Sequence, residues 1–475
     1  MLDYLAVILE EECSLEQLRP VVVGVSGGPD SLSLSYAMHR LGYPVVFAHL
    51  NHALRDEADT DARHVAQFAA SLGLASVVER QDVASYAREH SMSIEEAARE
   101  VRYRFLFAQA ARLGAQAVAV AHTADDQVET VLMHLLRGAG LAGLRGMPFR
   151  LAPNPWSSEI PLVRPLLSTW RAQVLEFCAA HNLQSVTDRS NLDTTFFRNR
   201  LRHELIPLLE EYNPGLRQHI LQMAHGLQAD YQVIQAAVEQ AWKDCLVRQG
   251  DGFLAFDRGA LARQPMGIQR HLLRRAIAIH RPGLRDIDFA SIERVLAFIR
   301  NPTRTGQRDL VAGLRLSLEG ECLWLASWGA DLPGDKWPQL TEGQIIPLEA
   351  PGSIQLEGDW RLHAEPVELS VGIRAQALEN EDPFRAWLDL AQIGAPLFVR
   401  ARRPGDRFQP LGMGGGAVRL AEFMLNQKLP RRARAGWPLV CCGEEIAWVA
   451  GLRLDERYRL EPASQSAIFL RLERT

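Results

Sequence analysis

The residues most able to do chemistry are Ser26-Gly27-Gly28-Pro29-Asp30-Ser31, directly behind an apolar run that starts at Val21. Adjacent glycines between a strand and a helix let backbone N–H groups approach phosphate oxygens at the positive end of a helix dipole. A lysine-bearing phosphate loop, G-x-x-x-x-G-K-[ST], is excluded, because the only lysines are Lys243, Lys336 and Lys428. Backbone and hydroxyl donors must therefore hold the phosphates, with Asp30 placed for a metal or a nucleotide. Ser26, Gly27, Gly28, Pro29, Asp30 and Ser31 are the candidate nucleotide-binding residues.

Two further clusters follow predicted strands. His49, Asn51 and His52 stand in HLNHALR, residues 49–55, and His122, Asp125, Asp126 and Glu129 stand in AHTADDQVET, residues 121–130. Adjacent carboxylates facing a polyphosphate suit Mg2+, which takes a few carboxylates plus phosphate oxygens. Asp30, Asp125 and Asp126 are its candidate ligands, although Asp125 and Asp126 also complement the dipole of the helix they open. For His49 and His52 the spacing fits metal binding and plain strand-end histidines equally well.

The elements that must position these clusters read as βαβα. A strand Val21–Val25 leads to a helix from Ser31, a strand Pro44–Leu50, a helix over 57–72 and a strand Ser76–Glu79. A helical region over 93–113, a strand Ala117–Ala121 and a helix over 125–137 continue it. Such alternation predicts an α/β fold with a doubly wound parallel sheet, whose ligands lie at the carboxyl ends of the strands. All three clusters then share one rim. Gly138-Ala139-Gly140-Leu141-Ala142-Gly143 satisfies G-x-G-x-x-G but follows a helix rather than a strand, so no dinucleotide site is expected there.

A helix over 168–181 and the stretch 188–209 close this first domain, 1–214, at the Asn213-Pro214-Gly215 turn. A mostly helical middle domain is expected over 215–330, with strands from about 305. An acidic linker segment is expected over 331–383, and a small α+β domain over 384–475. The net charge of −5 hides an asymmetry. Residues 398–436 hold nine Lys/Arg against two Asp/Glu, whereas residues 335–390 hold four against eleven. The basic stretch suits a polyanion; Gly412–Gly416 within it reads as a flexible turn. Six cysteines without a C-x-x-C pair suggest reduced thiols, and no apolar run is long enough for a membrane span. The expected location is cytoplasmic, with no membrane partner.

S-G-G-x-D-S resembles the PP-loop of ATP pyrophosphatases, which cleave ATP between its α and β phosphates. With N-H-x-L-R at 51–55, Glu95-Glu96-Ala97-Ala98-Arg99 with Arg102-Tyr103, and AHTADDQVET, the chain resembles tRNA(Ile)-lysidine synthetases. Arg137-Gly138-Ala139-Gly140-Leu141, Arg164-Pro165-Leu166-Leu167 and Asn199-Arg200-Leu201-Arg202 add to the likeness. It resumes at Arg402-Arg403-Pro404-Gly405-Asp406-Arg407, so it covers both ends of the chain.

The resemblance implies ATP and Mg2+ as cofactors, and as substrates free L-lysine and the tRNA(Ile) with a CAU anticodon. The C2 oxygen of the wobble cytidine attacks the α-phosphate, pyrophosphate leaves, and the lysine ε-amine displaces AMP to give lysidine. Asp30, His122, Asp125, Asp126 and Glu129 are then the catalytic candidates; which of them deprotonates lysine stays open, as does a homodimer. His49, Asn51, His52, Arg99, Arg102, Arg198 and Arg202 are the candidates for the substrate and anticodon, although Arg99 also fits a surface pair with Glu95. Arg402, Arg403 and Arg407, with Arg400, Arg431, Arg432 and Arg434, would grip tRNA phosphates elsewhere. Two rivals remain: a thiolating PP-loop enzyme, which needs reactive cysteines, and a tRNA-binding protein with a silent ATP site. An amide-forming relative lacks a glutaminase nucleophile here.

Overall fold

Valines set the first sheet. In β1 (Val21–Gly24), alternate side chains enter two cores, Val21 and Val23 on one face and Val22 on the other. A strand buried on both faces is a β-branched run, as parallel strands covered by helices require. β2 (Val45–Asn51), β3 (Ser76–Arg80), β4 (Ala117–Ala119), β5 (Arg150–Leu151) and β6 (Leu162–Val163) complete the sheet in the order β3-β2-β1-β4-β6-β5. All neighbours are parallel except β5, which runs antiparallel to β6 at the edge. The computed structural model describes residues 1–54, 58–186, 197–282, 284, 287–300, 306–334, 336–341 and 343–475. Arg55 and the beginning of the 188–209 stretch lie outside the described residues.

The strand order reverses between β1 and β4, so the crevice at their carboxyl ends is the switch point where ligands bind in open α/β sheets. Helix Pro29–Arg40 follows β1, and helix Ala124–Leu136 follows β4. Helix Ile94–Leu113 starts from a reciprocal Ser93/Glu96 capping box and ends at Gly114 with φ of 60°. It packs Ala97, Val101, Leu106 and Ala110 against Val22, Val118 and Val120. Its first turns therefore lie at the strand-end rim.

The chain divides into two compact units, Met1–Glu239 and Gln240–Thr475. The division falls inside helix Leu216–Cys245 rather than at the Asn213-Pro214-Gly215 turn. Ile220 and Ala224 of that helix share a core with Val128, Val131 and Ile206, which ties its first half to the sheet domain. A turn signal stops a helix locally, but packing decides to which core the next helix belongs.

In the second unit, β7 (Leu246–Gly250), β8 (Phe253–Asp257), β9 (Gly306–Asp309), β10 (Leu314–Glu319) and β11 (Cys322–Ser327) form an antiparallel sheet. Helices Met266–His280 and Phe289–Arg300 accompany it. The segment 331–383 is not a linker. It contributes β12 (Ile345–Pro347), β13 (Gly352–Gln355) and β14 (Trp360–Glu368). β15 (Arg385–Asp389), β16 (Leu397–Arg400), β17 (Arg407–Phe408) and β18 (Val418–Arg419) follow, β12 pairing with β16, and the last strands lie near the chain end. There β19 (Leu439–Cys442), β20 (Glu445–Val449), β21 (Arg453–Leu454) and β22 (Ser466–Arg474) complete two sheets. β14 pairs with β22 from Trp360↔Arg474 to Glu368↔Ser466. Leu362, Leu388, Val399, Val440, Trp448 and Leu470 fill the core they share. Pairing over such sequence distances leaves no local signature, which is why the acidic stretch reads as a linker.

Candidate active site

Backbone conformation explains the first glycine of the loop and free space the second. Gly27 has φ of 87°, a region that strains L side chains, whereas Gly28 lies in ordinary extended backbone with φ of −73°. A side chain at Gly28 would stand in front of the helix N-terminus, which here has no side-chain cap. The loop is pinned from within: the Ser26 N–H donates to Ser31 Oγ at 3.1 Å, and Ser31 Oγ donates to the Gly28 carbonyl at 3.0 Å. The remaining N–H groups of the first turn are left for an anion.

Asp30 sits on that turn. Arg171 Nη1 donates to its Oδ2 at 2.6 Å, while Oδ1 is buried without a hydrogen-bond partner. Burial raises the Asp30 carboxyl pKa above its usual range; Arg171 opposes the shift and nearby Asp126 adds to it.

At the end of β4, Asp126 accepts from the Thr123 N–H and hydroxyl through Oδ2, at 2.9 and 3.1 Å. Its Oδ1 lies 3.7 Å from Arg202 Nη2 and 3.9 Å from Arg198 Nη2. Burial works against its charge, but His122, Arg198 and the Thr123 N–H outweigh burial and hold the carboxyl low. Burial drives the His122 imidazole down to about 3 against the pull of Asp126, so it is neutral at physiological pH. Its Nδ1 is buried and unpartnered.

The other two acids are committed. Asp125 accepts from Arg217 Nη1 through Oδ1 and from the Arg171 N–H through Oδ2, both at 2.8 Å. Glu129, 1% exposed, is gripped by Arg198 Nε at 2.9 Å and Arg202 Nε at 2.6 Å. Arg198 and Arg202, expected on the anticodon, thus neutralise the acidic cluster.

His49 and Asn51 brace the rim. His49 Nδ1 lies 2.8 Å from the Val25 carbonyl, and burial lowers its pKa. Asn51 donates to Asp59 at 2.6 Å and accepts from the Ala53 N–H at 2.9 Å. His52 follows, half-buried. Arg99 and Arg102 flank the ring of Tyr103, which stacks on Trp156 at 4.1 Å.

Sequence reasoning missed Arg171 and Arg217, single arginines without a motif. It gave no role to Tyr103 or to Arg164, which is 4% exposed. Arg217 fell in the expected middle domain, although its side chain completes this site.

The basic stretch of the second unit separates into two groups. Arg402, Arg403, Arg431 and Arg434 line a cavity of about 510 Å3. Burial, then Arg402 and Arg431, lower the Arg434 pKa. Arg400, which also lines that cavity, Arg407 and Arg432 hold the fold. Arg400, 4% exposed, pairs with both oxygens of Asp406 at 2.8 and 2.9 Å, and Arg407 donates to the Ala417 carbonyl. Arg432 pairs with Glu319 at 2.7 Å between Trp324 and Trp337, so it is a structural arginine rather than a phosphate grip. Gly412, Gly414 and Gly415 have positive φ in an exposed turn.

No helix of the described residues is long and apolar enough to cross a membrane. Residues 5–209 match the model of a PP-loop domain, and residues 397–470 that of a TilS substrate C-terminal domain. A tRNA(Ile)-lysidine synthase of Dehalococcoides mccartyi is 36% identical, covering 93% of this chain and 92% of its own. The enzymes of that name from Geobacter sulfurreducens and Symbiobacterium thermophilum are 34% and 32% identical, covering 95% and 97% of this chain and 93% and 95% of theirs. With an ATP loop and an acid–histidine cluster meeting at the switch point of its sheet, and this likeness along nearly its whole length, the chain belongs to the tRNA(Ile)-lysidine synthase family.

Proposed function

We propose that this chain joins free lysine to C2 of the wobble cytidine of the tRNA(Ile) with a CAU anticodon, using ATP and releasing AMP and pyrophosphate. The observation that carries the reading is the meeting of the Ser26–Ser31 loop with His122 and Asp126 at the β1/β4 switch point. Phosphoryl transfer depends on positioning and charge neutralisation. The helix N-terminus behind Gly28 and the arginines around Asp30 and Asp126 supply fixed positive charge for the departing pyrophosphate.

Asp30 Oδ1 and Asp126 Oδ1, oxygens without a hydrogen bond, suit Mg2+, whereas both oxygens of Asp125 are taken. Among the described residues no three histidine, cysteine or acidic side chains form a metal cluster; Mg2+ takes one or two carboxylates plus phosphate oxygens. When bound, the ion neutralises phosphate charge. The lysine amine, with an ordinary pKa of about 10.4, arrives protonated. His122 Nδ1 is the acceptor free to receive it, since Asp126 Oδ1 would hold the ion and Glu129 and Asp125 are occupied by arginines.

Thiolation is disfavoured, because all six cysteines are buried. The test is incubation with ATP, Mg2+, radiolabelled lysine and unmodified CAU tRNA(Ile). Label entering the tRNA supports the ligase, and pyrophosphate release without label sinks lysine as the nucleophile.

The cavity arginines give a second expectation. Four phosphate contacts steepen the fall of log affinity with log salt by about 3, so Arg402→Ala with Arg403→Ala should flatten it by about half of that. Filter binding across a salt series measures the slope; an unchanged slope removes the cavity from the tRNA interface. Arg432→Ala should leave the slope alone and lower the urea-unfolding free energy by about 3 kcal/mol, because it strands Glu319.

A further inference from the structure

A line of charged side chains runs from helix Ile206–Tyr212 to the nucleotide loop. Glu210 on that helix accepts from Arg217 Nε and Nη2 at 2.9 and 3.3 Å. Arg217 Nη1 donates to Asp125 Oδ1 at 2.8 Å, and Asp125 Oδ2 accepts from the Arg171 N–H at 2.8 Å. Arg171 Nη1 then donates to Asp30 Oδ2 at 2.6 Å, and at the end of the line Asp30 Oδ1 is buried without a partner.

The middle link is a helix cap supplied from another element. The Arg171 N–H opens helix Arg171–Ala180 and has no carbonyl to meet inside it, while Trp170, the residue ahead, has a side chain that can only donate. Asp125 takes the capping place, and beside it the Ala124 N–H donates to the Thr169 carbonyl at 3.0 Å. The starts of helices Ala124–Leu136 and Arg171–Ala180 are thus locked to each other. Val174, Phe177 and Cys178 of the second helix share a core with Leu34 and Met38 of the helix that carries Asp30. Where the first turn of helix Arg171–Ala180 sits therefore decides whether Arg171 reaches Asp30.

Arg217 keeps Asp125 in that role. The Asp125 side chain is 18% exposed, so it has solvent to turn toward, and its Oδ1 is held by a guanidinium that Glu210 orients. A planar fork can hold two carboxylates at fixed angles, which a flexible ammonium does not. Ser168 adds a second tie to the same long helix, its Oγ lying 3.3 Å from His225 Nε2.

We propose that Arg217, with Glu210 behind it, is a positioning residue for the nucleotide: through Asp125 it fixes the first turn of helix Arg171–Ala180, and so holds Arg171 on Asp30 with Oδ1 turned toward the ligand. This rests on the ATP step of the ligase reading above and adds to it residues that act only through Asp30.

A double-mutant cycle on the full chain decides it, read as kcat/KM for ATP in tRNA-dependent pyrophosphate release and as ATP affinity in equilibrium dialysis. Arg171→Gln and Arg217→Gln should each lower the first about tenfold and the second about threefold. The double variant should be no worse than Arg171→Gln alone, because one change acts through the other, and the KM for lysine should move less than about twofold. Multiplied effects, about a hundredfold in the double variant, make the two arginines independent and overturn the proposal. So does an Arg217→Gln that raises the KM for lysine as much as that for ATP, which is a general loosening of the site. If Arg217→Gln does not fold, Glu210→Gln, which leaves Arg217 one carboxylate, takes its place in the cycle with smaller shifts. Pyrophosphate release without lysine transfer in the wild type overturns the ligase reading, while the cycle still decides this one.

Discussion

Asp30→Asn will lower tRNA-dependent pyrophosphate release by about 10²–10³-fold while the folded chain melts no lower than the wild type at neutral pH. The loss follows from position: Asp30 stands on the first turn behind the glycine loop, with Oδ1 buried and unpartnered. The unharmed stability follows from linkage. Burial first, with Asp126 second among the causes that raise it, holds the Asp30 pKa above its unfolded value despite Arg171. The stability brought by its proton is therefore present below the ordinary carboxylate range and lost as pH rises through the folded-state value. At pH 7 the ionised side chain is a net burden that a neutral asparagine removes. Melting curves at pH 7 and at pH 4 check the sign: any gain should be larger at pH 7. A variant that melts lower at pH 7 yet still releases pyrophosphate would remove Asp30 from the chemistry.

Glu129→Gln has the opposite profile. Both carboxylate oxygens are used, by Arg198 and Arg202, at a residue 1% exposed. Removing one charge strands two guanidiniums, whose next acidic neighbour is Asp126 at 3.7 and 3.9 Å. Breaking a buried ion network in this way costs about 3–5 kcal/mol, a large share of the roughly 5–15 kcal/mol that holds a domain folded. Urea unfolding should show the loss, and pyrophosphate release should fall with it as the arginines shift onto Asp126. Wild-type stability with only the lysine step slowed would instead make Glu129 the proton acceptor.

These two acids show how far the candidate site was legible. Asp30, His122, Asp125, Asp126 and Glu129 were found from their places behind β1 and β4, because a strand end followed by a helix start dictates where a side chain can meet a ligand. Their division of labour was not legible. Whether a carboxylate faces a ligand or an arginine depends on Arg171, Arg198, Arg202 and Arg217, which lie 46 to 141 residues away and follow no spacing rule. Arg432 makes the same point in reverse, since charge density suggested a phosphate grip where Glu319 and two tryptophans hold it.

By itself, the sequence determined the parallel α/β sheet, the phosphate loop, the rim on which its chemistry gathers and the family. Valine runs, glycine turns and helix caps act over a few residues, and those residues can be read directly. Only the tertiary structure decided that the segment 331–383 carries β12, β13 and β14 rather than being a linker, that helix Leu216–Cys245 begins in the first unit, and which arginines are occupied. Strand pairing, core sharing and ion pairing join residues far apart in the chain, so each is settled by the partner the fold brings near.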